Sequence, residues 1–364
     1  MFPQNKSISL RVQLLQKLIL SVFIGFTGYF LISNNVINLS VVSNSYWLKF
    51  MYLLVAVGLY LNVSEIDLKD ISLNWKTLAS ILLFGLPIKI FLPGVCLGLF
   101  DRELWSIVFL ASTVIAQIDP IAASYNLKFT NLNSRTKTIL RFWSSFDDPI
   151  TVLFAFYIFL PFTLTRSSFH IIHYITSLCI ELIISIIIYF LYQKFKYKIR
   201  NFKNNMINML DLFFISIIVL ISGFSGSFLV PAIVGIIIRP YIPPKISEYI
   251  LGFIFYFSIF TTGVLTASLG FRNLNWTAGL ILGGLMFFVA QPIVTLIFVR
   301  KLENRERSRI MFGHENGMTA ILLTVAIELS NQELNILAIT LPAIFFISIM
   351  YIVVNGYLDN LFIH

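Results

Sequence analysis

The sequence predicts an all-α polytopic protein that crosses a membrane about twelve times. Hydrophobic residues make up 58% of the 364 residues, charged residues make up 12%, and the mean hydropathy is +0.87. Soluble globular proteins do not have this composition, so that class is excluded. Spans 7 and 8 are predicted to be short, because Ser222–Gly226 supplies a turn inside one long apolar run. The predicted spans are residues 17–33, 47–63, 77–99, 104–126, 138–161, 169–193, 208–223, 226–239, 248–269, 276–299, 308–329 and 334–357.

The lysines and arginines indicate how these spans are oriented. With twelve spans and an inner N-terminus, the outer loops carry Arg102, Arg166 and Arg272, and nearly all the other basic residues lie on the inner side. The positive-inside rule describes this asymmetry, so we expect both termini in the cytoplasm and the protein in the inner (cell) membrane. The net charge of +9 then reflects topology and contact with anionic membrane lipids, and it does not indicate nucleic-acid binding.

Two segments of similar sequence indicate an inverted repeat. Val57–Trp75 and Thr262–Trp276 each end a span near a glycine, cross a short loop and enter the next span at Asn-Trp. They lie an odd number of spans apart, so the two copies face opposite ways across the membrane, as in many secondary transporters. We therefore predict two inverted five-helix repeats, at residues 1–165 and 225–364, joined by the linking spans 6 and 7 at residues 166–224.

Two adjacent carboxylates, Asp147 and Asp148, interrupt the otherwise apolar run Ile139–Leu160. A carboxylate at the bilayer centre costs about 2.5–3.5 kcal/mol, and intramembrane acids usually belong to an ion or proton pathway. Pro149 lacks an N–H group, which leaves the carbonyl of Ser145 available to a hard cation. Two carboxylates in a poorly solvated site repel each other, so a proton and a cation compete for one site. Such competition at an alternately exposed site is sufficient for antiport.

The repeat makes spans 4 and 11 equivalent, and both contain helix-breaking residues. In span 4, Pro120 deprives the carbonyl of Ala116 of its helical partner and pushes Asp119 out of the α region. In span 11, Gly313–Gly317 interrupts the apolar pattern and includes Glu315. If both spans unwind and cross, Asp119 and Glu315 can compensate the positive helix ends that meet there. Whether each acid organises the crossing or also binds the ion stays open.

In their order along the chain, these pieces resemble the cation:proton antiporter superfamily, the sodium/hydrogen exchangers, over residues 50–360. The matching sequences are VGLYL after span 2, AQIDPIAAS, SSFDDPITVLF and FGHENGMTAILL. The resemblance implies that Asp148 binds the ion and proton and that Asp147 marks the Asp-Asp subtype. It also implies a homodimer in which a mobile core, spans 3–5 and 10–12, moves as an elevator against a dimerisation domain.

The chain departs from the family pattern near the predicted site. A family threonine and two family basic residues are replaced, respectively, by Ile118, by Gln291 in span 10 and by Asn316 in span 11. Lys89 lies in the middle of span 3, the repeat mate of span 10. We expect Lys89 to supply the missing positive charge by pairing with Asp147 or Glu315. Ser144 and Ser145 are expected to support the two aspartates.

The sequence therefore favours a secondary antiporter that exchanges protons for Na⁺, or for Li⁺ or K⁺, with Asp147 and Asp148 as the ligands of the transported cation. No resident cofactor is expected. Phosphate-binding loops, nucleophile–base pairs and zinc-ligand spacings are missing from the sequence, which argues against an enzyme. Two alternatives stay open. One is a sodium-coupled symporter of organic anions with the same fold, and the other is a transport-inactive membrane sensor.

Overall fold

The computed structural model describes residues 4–38, 44–64, 75–119, 132–164, 169–199, 204–299 and 302–361. Within these ranges the chain forms helices and connecting segments, without a strand. Nine of the helices in these ranges are long and apolar enough to cross a membrane. The prediction of an all-helical, multi-pass chain is confirmed at this level.

The described residues of the first half of the chain form six α-helices. They are α1 (Gln4–Ser33), α2 (Ser45–Ser64), α3 (Trp75–Phe100), α4 (Val108–Ile115), α5 (Ser134–Leu153, continued through Leu160–Leu164) and α6 (Phe169–Ile199). α3 and α5 each include a π-helical segment, Ile81–Gly85 in α3 and Phe154–Phe159 in α5.

The described residues of the second half form seven α-helices. They are α7 (Asn204–Ser225), α8 (Leu229–Ile237), α9 (Pro244–Leu269), α10 (Trp276–Phe298), α11 (Asn304–Met311), α12 (Met318–Ser330) and α13 (Leu337–Leu361). α10 includes a π-helical segment, Met286–Ala290.

The turn between α7 and α8 follows the sequence, but the helix lengths do so only in part. Gly226 adopts a φ of 73°, and the N–H of Ser227 donates to the carbonyl of Ser222 at 2.9 Å, which closes the turn. The expectation that spans 7 and 8 are both short is correct for α8, which has 9 residues. It is wrong for α7, which has 22 residues because the helix continues through the polar residues that precede the apolar run.

α3 and α10, the helices that the repeat would make equivalent, share a local irregularity. In each, a π-helical segment ends directly before an Xaa-Pro pair, Leu86-Pro87 in α3 and Gln291-Pro292 in α10. Proline has no N–H to donate, so the wider turn accommodates the missing helical hydrogen bond. Single π-turns inside α-helices occur frequently at functional sites.

α12 is the most central of the helices around the two breaks. Nearly all of its side chains are buried where it packs against α2, α4, α9 and α13. The start of α5 is fixed by Asn133, whose side chain accepts from the N–H of Thr136 at 2.7 Å. Glu306 of α11 accepts from both the N–H and the side-chain amide of Asn133, at 2.8 and 2.7 Å. α11 is thereby tied to the start of α5, the helix that carries the two aspartates.

Candidate functional site

Two helices end where the sequence predicts breaks. α4 ends at Ile115, and residues 117–119 continue without helical hydrogen bonding. α11 ends at Met311, and residues 313–317 separate it from α12. Pro120, on which the prediction for span 4 depends, lies outside the described residues. The break in span 11 coincides with the Gly313–Gly317 sequence.

The two breaks contact each other directly. The backbone N–H of Asp119 donates to the carbonyl of Glu315 at 2.8 Å. The side-chain amide of Asn316 donates to the carbonyls of Ile115 and Gln117, at 2.9 and 3.1 Å. Each broken segment therefore satisfies backbone groups that the other leaves without helical partners. Asn316 is neutral and forms structural hydrogen bonds, at a position where the family that the chain resembles has a basic residue.

Glycine is required at position 317 because the side chain of Asp119 packs against its Cα. A Cβ at Gly317 would overlap the carboxyl group of Asp119. Asp119 itself is 3% exposed, and its Oδ2 lies 3.3 Å from Nζ of Lys17 on α1. Glu315 is also buried, and its charge lies within electrostatic range of Lys17 and Asp119. Two acids and one base thus meet on one side of the crossing.

Asp148 faces the start of α12. Its Oδ2 accepts hydrogen bonds from Nδ2 of Asn62 on α2, at 2.6 Å, and from Oγ1 of Thr319 in the first turn of α12, at 2.8 Å. The side chain is 1% exposed, and both donors are neutral. Among the described residues, no lysine or arginine forms an ion pair with Asp148. A charge on this carboxylate would have to be balanced by a bound proton or cation.

Asp147 points in a different direction from its neighbour, as expected for adjacent positions about 100° apart on a helix. Its Oδ2 lies 3.4 Å from Nζ of Lys89 on α3, and both side chains have no exposed surface. The Lys89 ammonium also lies 5.4 Å from the ring centroid of Trp143. Of the two partners considered for Lys89, the structure places Asp147 against it. This buried pair neutralises one of the two adjacent acids.

The two serines before the aspartates bond to their own helix. The hydroxyls of Ser144 and Ser145 both donate to the carbonyl of Arg141, at 3.1 and 2.8 Å. Thr151 Oγ1 donates to the carbonyls of Asp147 and Asp148, at 2.7 and 3.0 Å. These bonds join hydroxyls to carbonyls about one turn earlier in the same helix. The serines therefore support the local backbone in this conformation.

Two further predicted positions lie beside the crossing. Gln291 on α10 is fully buried, and its amide donates to the carbonyl of Ile310 near the end of α11, at 3.2 Å. Ile118 is fully buried in an apolar cluster that includes Trp143 and Val294. The buried side-chain oxygens without a hydrogen-bond partner in the described part of the chain include five at this site, and they are Gln117 Oε1, Asp147 Oδ1, Gln291 Oε1, Glu315 Oε2 and Asn316 Oδ1. Oxygen atoms of these kinds are the ligands that hard cations prefer.

Sequence reasoning missed three residues of this arrangement, Lys17, Asn62 and Thr319. Asn62 lies in the repeat segment Val57–Trp75, and Thr319 lies in the sequence FGHENGMTAILL quoted for the resemblance, each as a polar position within an apolar run. Their polarity was a usable signal. The sequence alone does not distinguish them from polar residues outside the site. Most hydroxyls in membrane helices bond to their own helix, as those of Thr262 and Thr324 do here.

Replacing Thr319 by valine should weaken cation binding and leave the fold intact. Valine keeps the shape of threonine, but the ionised form of Asp148, to which we expect the cation to bind, loses one charge-assisted hydrogen bond. Such bonds contribute about 1.5–3 kcal/mol, so the apparent KM for the cation should rise by about tenfold or more. Thr324→Val on the same helix is the matched control, because its hydroxyl bonds only to the carbonyl of Ala320. Equal KM values for the two variants would contradict this role.

Comparison with solved structures identifies the fold. The sodium/proton antiporter MjNhaP1 from Methanocaldococcus jannaschii superposes with a TM-score of 0.69, over 99% of this chain and 98% of that one, at 15% sequence identity. No protein-family model and no curated protein sequence matches the chain. The fold implied by the sequence resemblance is therefore confirmed, since a sodium/proton antiporter has the same fold.

Proposed function

We propose that the protein is a secondary antiporter that exchanges protons for Na⁺ or another small monovalent cation. The observation that carries the proposal is Asp148, a buried carboxylate held by two neutral donors beside two broken helices. An ionisable group in this position is costly unless it serves an ion pathway. The shared fold with a sodium/proton antiporter supports the same function.

The arrangement of donors explains how one carboxylate can serve two ligands. A proton on Asp148 removes its charge directly. A dehydrated cation does so through coordination, and Asn62 and Thr319 can then turn their own oxygens to the ion, because amide and hydroxyl groups both donate and accept. The two ligands exclude each other, so each is carried in the direction opposite to the other. Asp147 stays paired with Lys89 and fixes the orientation of α5.

The positive charges of the site come from unusual positions. Lys89 on α3 and Lys17 on α1 contact Asp147 and Asp119, whereas the positions that carry bases in the resembling family are Gln291 and Asn316. The basic residues lie at other positions than in that family, but Asp147 and Asp119 still have basic partners. For this reason the loss of the two family bases does not favour a transport-inactive sensor.

The finer architecture belongs to the same proposal. The twelve predicted spans correspond to the long helices together with α8 and the two interrupted spans, α4 with residues 116–119 and α11 with α12. The shared π-turn and proline in α3 and α10, and the contact between the two breaks, support two inverted repeats. Alternating access by an elevator motion, a homodimer, cytoplasmic termini and a location in the cell membrane among anionic lipids complete it.

Purified protein in liposomes that contain a pH-sensitive dye tests the function. Addition of NaCl, LiCl or KCl should change the internal pH, and choline chloride at the same ionic strength should not. Protein-free liposomes control for leakage. A sodium-coupled symporter would show no pH change without an organic anion, and it would take up a labelled organic anion when Na⁺ is present. Absence of cation-dependent proton flux with all three salts would contradict the proposal.

A further inference from the structure

Lys17 reaches the crossing from a helix that lies at the edge of the bundle. α1 exposes large apolar side chains along its length, including Leu15, Ile19 and Phe23, and its span is the least buried of the nine candidates. The ammonium of Lys17 nevertheless lies 3.3 Å from Oδ2 of Asp119, the last described residue of the break in span 4. A lysine on a peripheral helix has no need of a buried carboxylate, since it can extend to water or headgroups.

The position of Lys17 is set by close packing between α1 and α9. A Cβ at Gly263 of α9 would overlap the carbonyl of Gly25, and one at Gly28 would overlap the carbonyl of Phe260. The two backbones therefore approach closely along this contact. About two turns before Gly25 on α1, the ammonium of Lys17 lies 4.6 Å from the ring centroid of Phe255, which is on α9. Lys17 thus extends from a fixed pair of helices towards the crossing.

The ammonium of Lys17 has the charge and the ligands that a transported monovalent cation would have. It faces Asp119 directly, and the buried carboxylate of Glu315 lies within electrostatic range. Glu315 Oε2 accepts no hydrogen bond from the described residues. The Lys17 side chain keeps 25% of its surface exposed, against 3% for Asp119, so its ammonium has room to move away from the carboxylate.

We infer that Lys17 is a tethered counter-cation that competes with the transported cation for Asp119 and Glu315, and so sets the apparent affinity of the transporter. This inference rests on the proposed function. An entering cation that coordinates Asp119 as well as Asp148 must displace the ammonium, because the ion and the ammonium then need the same carboxylate oxygens of Asp119. While no external cation is bound, the single charge of Lys17 neutralises one of the two acids of the crossing, Asp119.

Exchange kinetics give the first test. Lys17→Gln removes the competitor, so the apparent KM for Na⁺ or Li⁺ should fall by about threefold to tenfold. Lys17→Arg keeps the charge and should stay near the wild-type KM. Lys49→Gln, which removes an exposed lysine from α2, is the matched control and should change nothing. A purely structural role for Lys17 would lower the maximal rate or the melting temperature. An unchanged or higher KM in Lys17→Gln would overturn the inference.

Amine labelling of wild-type protein gives a test that needs no transport and no variant. An acylating reagent modifies exposed lysines, and mass spectrometry quantifies Lys17 against Lys49 in the same sample. Na⁺ or Li⁺, compared with choline at equal ionic strength, should raise the Lys17-to-Lys49 ratio at least about twofold, because the cation frees the ammonium. An unchanged ratio with both ions would overturn the inference. A raised ratio in protein without exchange activity would keep the inference and reject the proposed function.

Discussion

Asp148→Asn should reduce cation-driven proton flux to the background of protein-free liposomes. Asparagine has the shape of aspartate and keeps an oxygen that can accept from Asn62 and Thr319, so the hydrogen bonds seen at Asp148 can be retained. It can neither bind a proton near neutral pH nor balance the charge of a cation. The variant therefore loses proton binding and cation binding together. Currents on a solid-supported membrane and the internal pH dye both measure the loss.

The control for Asp148→Asn is Glu248→Gln, which removes one negative charge from an exposed position on α9. Its flux should equal that of the wild type. Asp148→Asn protein should also melt at the wild-type temperature or above it, because a buried carboxylate is replaced by a neutral group. Substantial exchange by a well-folded Asp148→Asn protein would show that this residue does not carry the ion.

Lys89→Met should destabilise the protein strongly. Lys89 and Asp147 are both fully buried, and methionine approximates the volume of the lysine stem. Removal of one partner leaves a buried charge without compensation, which costs about 3–5 kcal/mol. The free energy of unfolding in detergent, or the melting temperature, measures the effect. Lys49→Met at an exposed position should change the free energy of unfolding by less than about 0.5 kcal/mol.

The double variant Lys89→Met with Asp147→Asn separates the pair from the two side chains taken singly. Neutralising both partners removes the uncompensated charge, so most of the lost stability should return. If Lys89→Met alone melted like the wild type, the ion pair between α3 and α5 would not be part of the folded state in detergent. If the double variant were as unstable as Lys89→Met, the packing of the lysine stem would explain the loss and the charge would not.

The sequence was sufficient to predict the membrane-spanning class and the break in span 11. The break was predictable because Gly313–Gly317 places two glycines and three polar residues inside an apolar run. These residues disfavour a continuous membrane helix whatever the neighbouring helices are. The length of α7 was mispredicted for the opposite reason. Polar residues before its apolar run are compatible with a helix that extends beyond the hydrocarbon region, so hydropathy gives no signal for where that helix begins.

The partners of the acids were less predictable than the acids themselves. Asp147 and Asp148 are visible because a charge in an apolar run is expensive wherever it faces. Asn62 and Lys17 can be recognised as partners of the acids only when the packing of α2 and α1 against the crossing is known. That packing depends on contacts between residues far apart in the chain. For Lys89, its position within a span narrowed the choice to two acids, and the packing of α3 against α5 places it at Asp147.

The most direct test of the central claim is the pH dependence of the apparent KM for Na⁺, measured as currents or dye signals from the wild-type protein. If a proton and a cation exclude each other at Asp148, the KM should rise as the pH falls, by up to about tenfold per pH unit, while saturating Na⁺ restores the maximal rate. A KM that stays constant over the pH range while the maximal rate falls would contradict the account, because the proton would then act at a site separate from that of the cation.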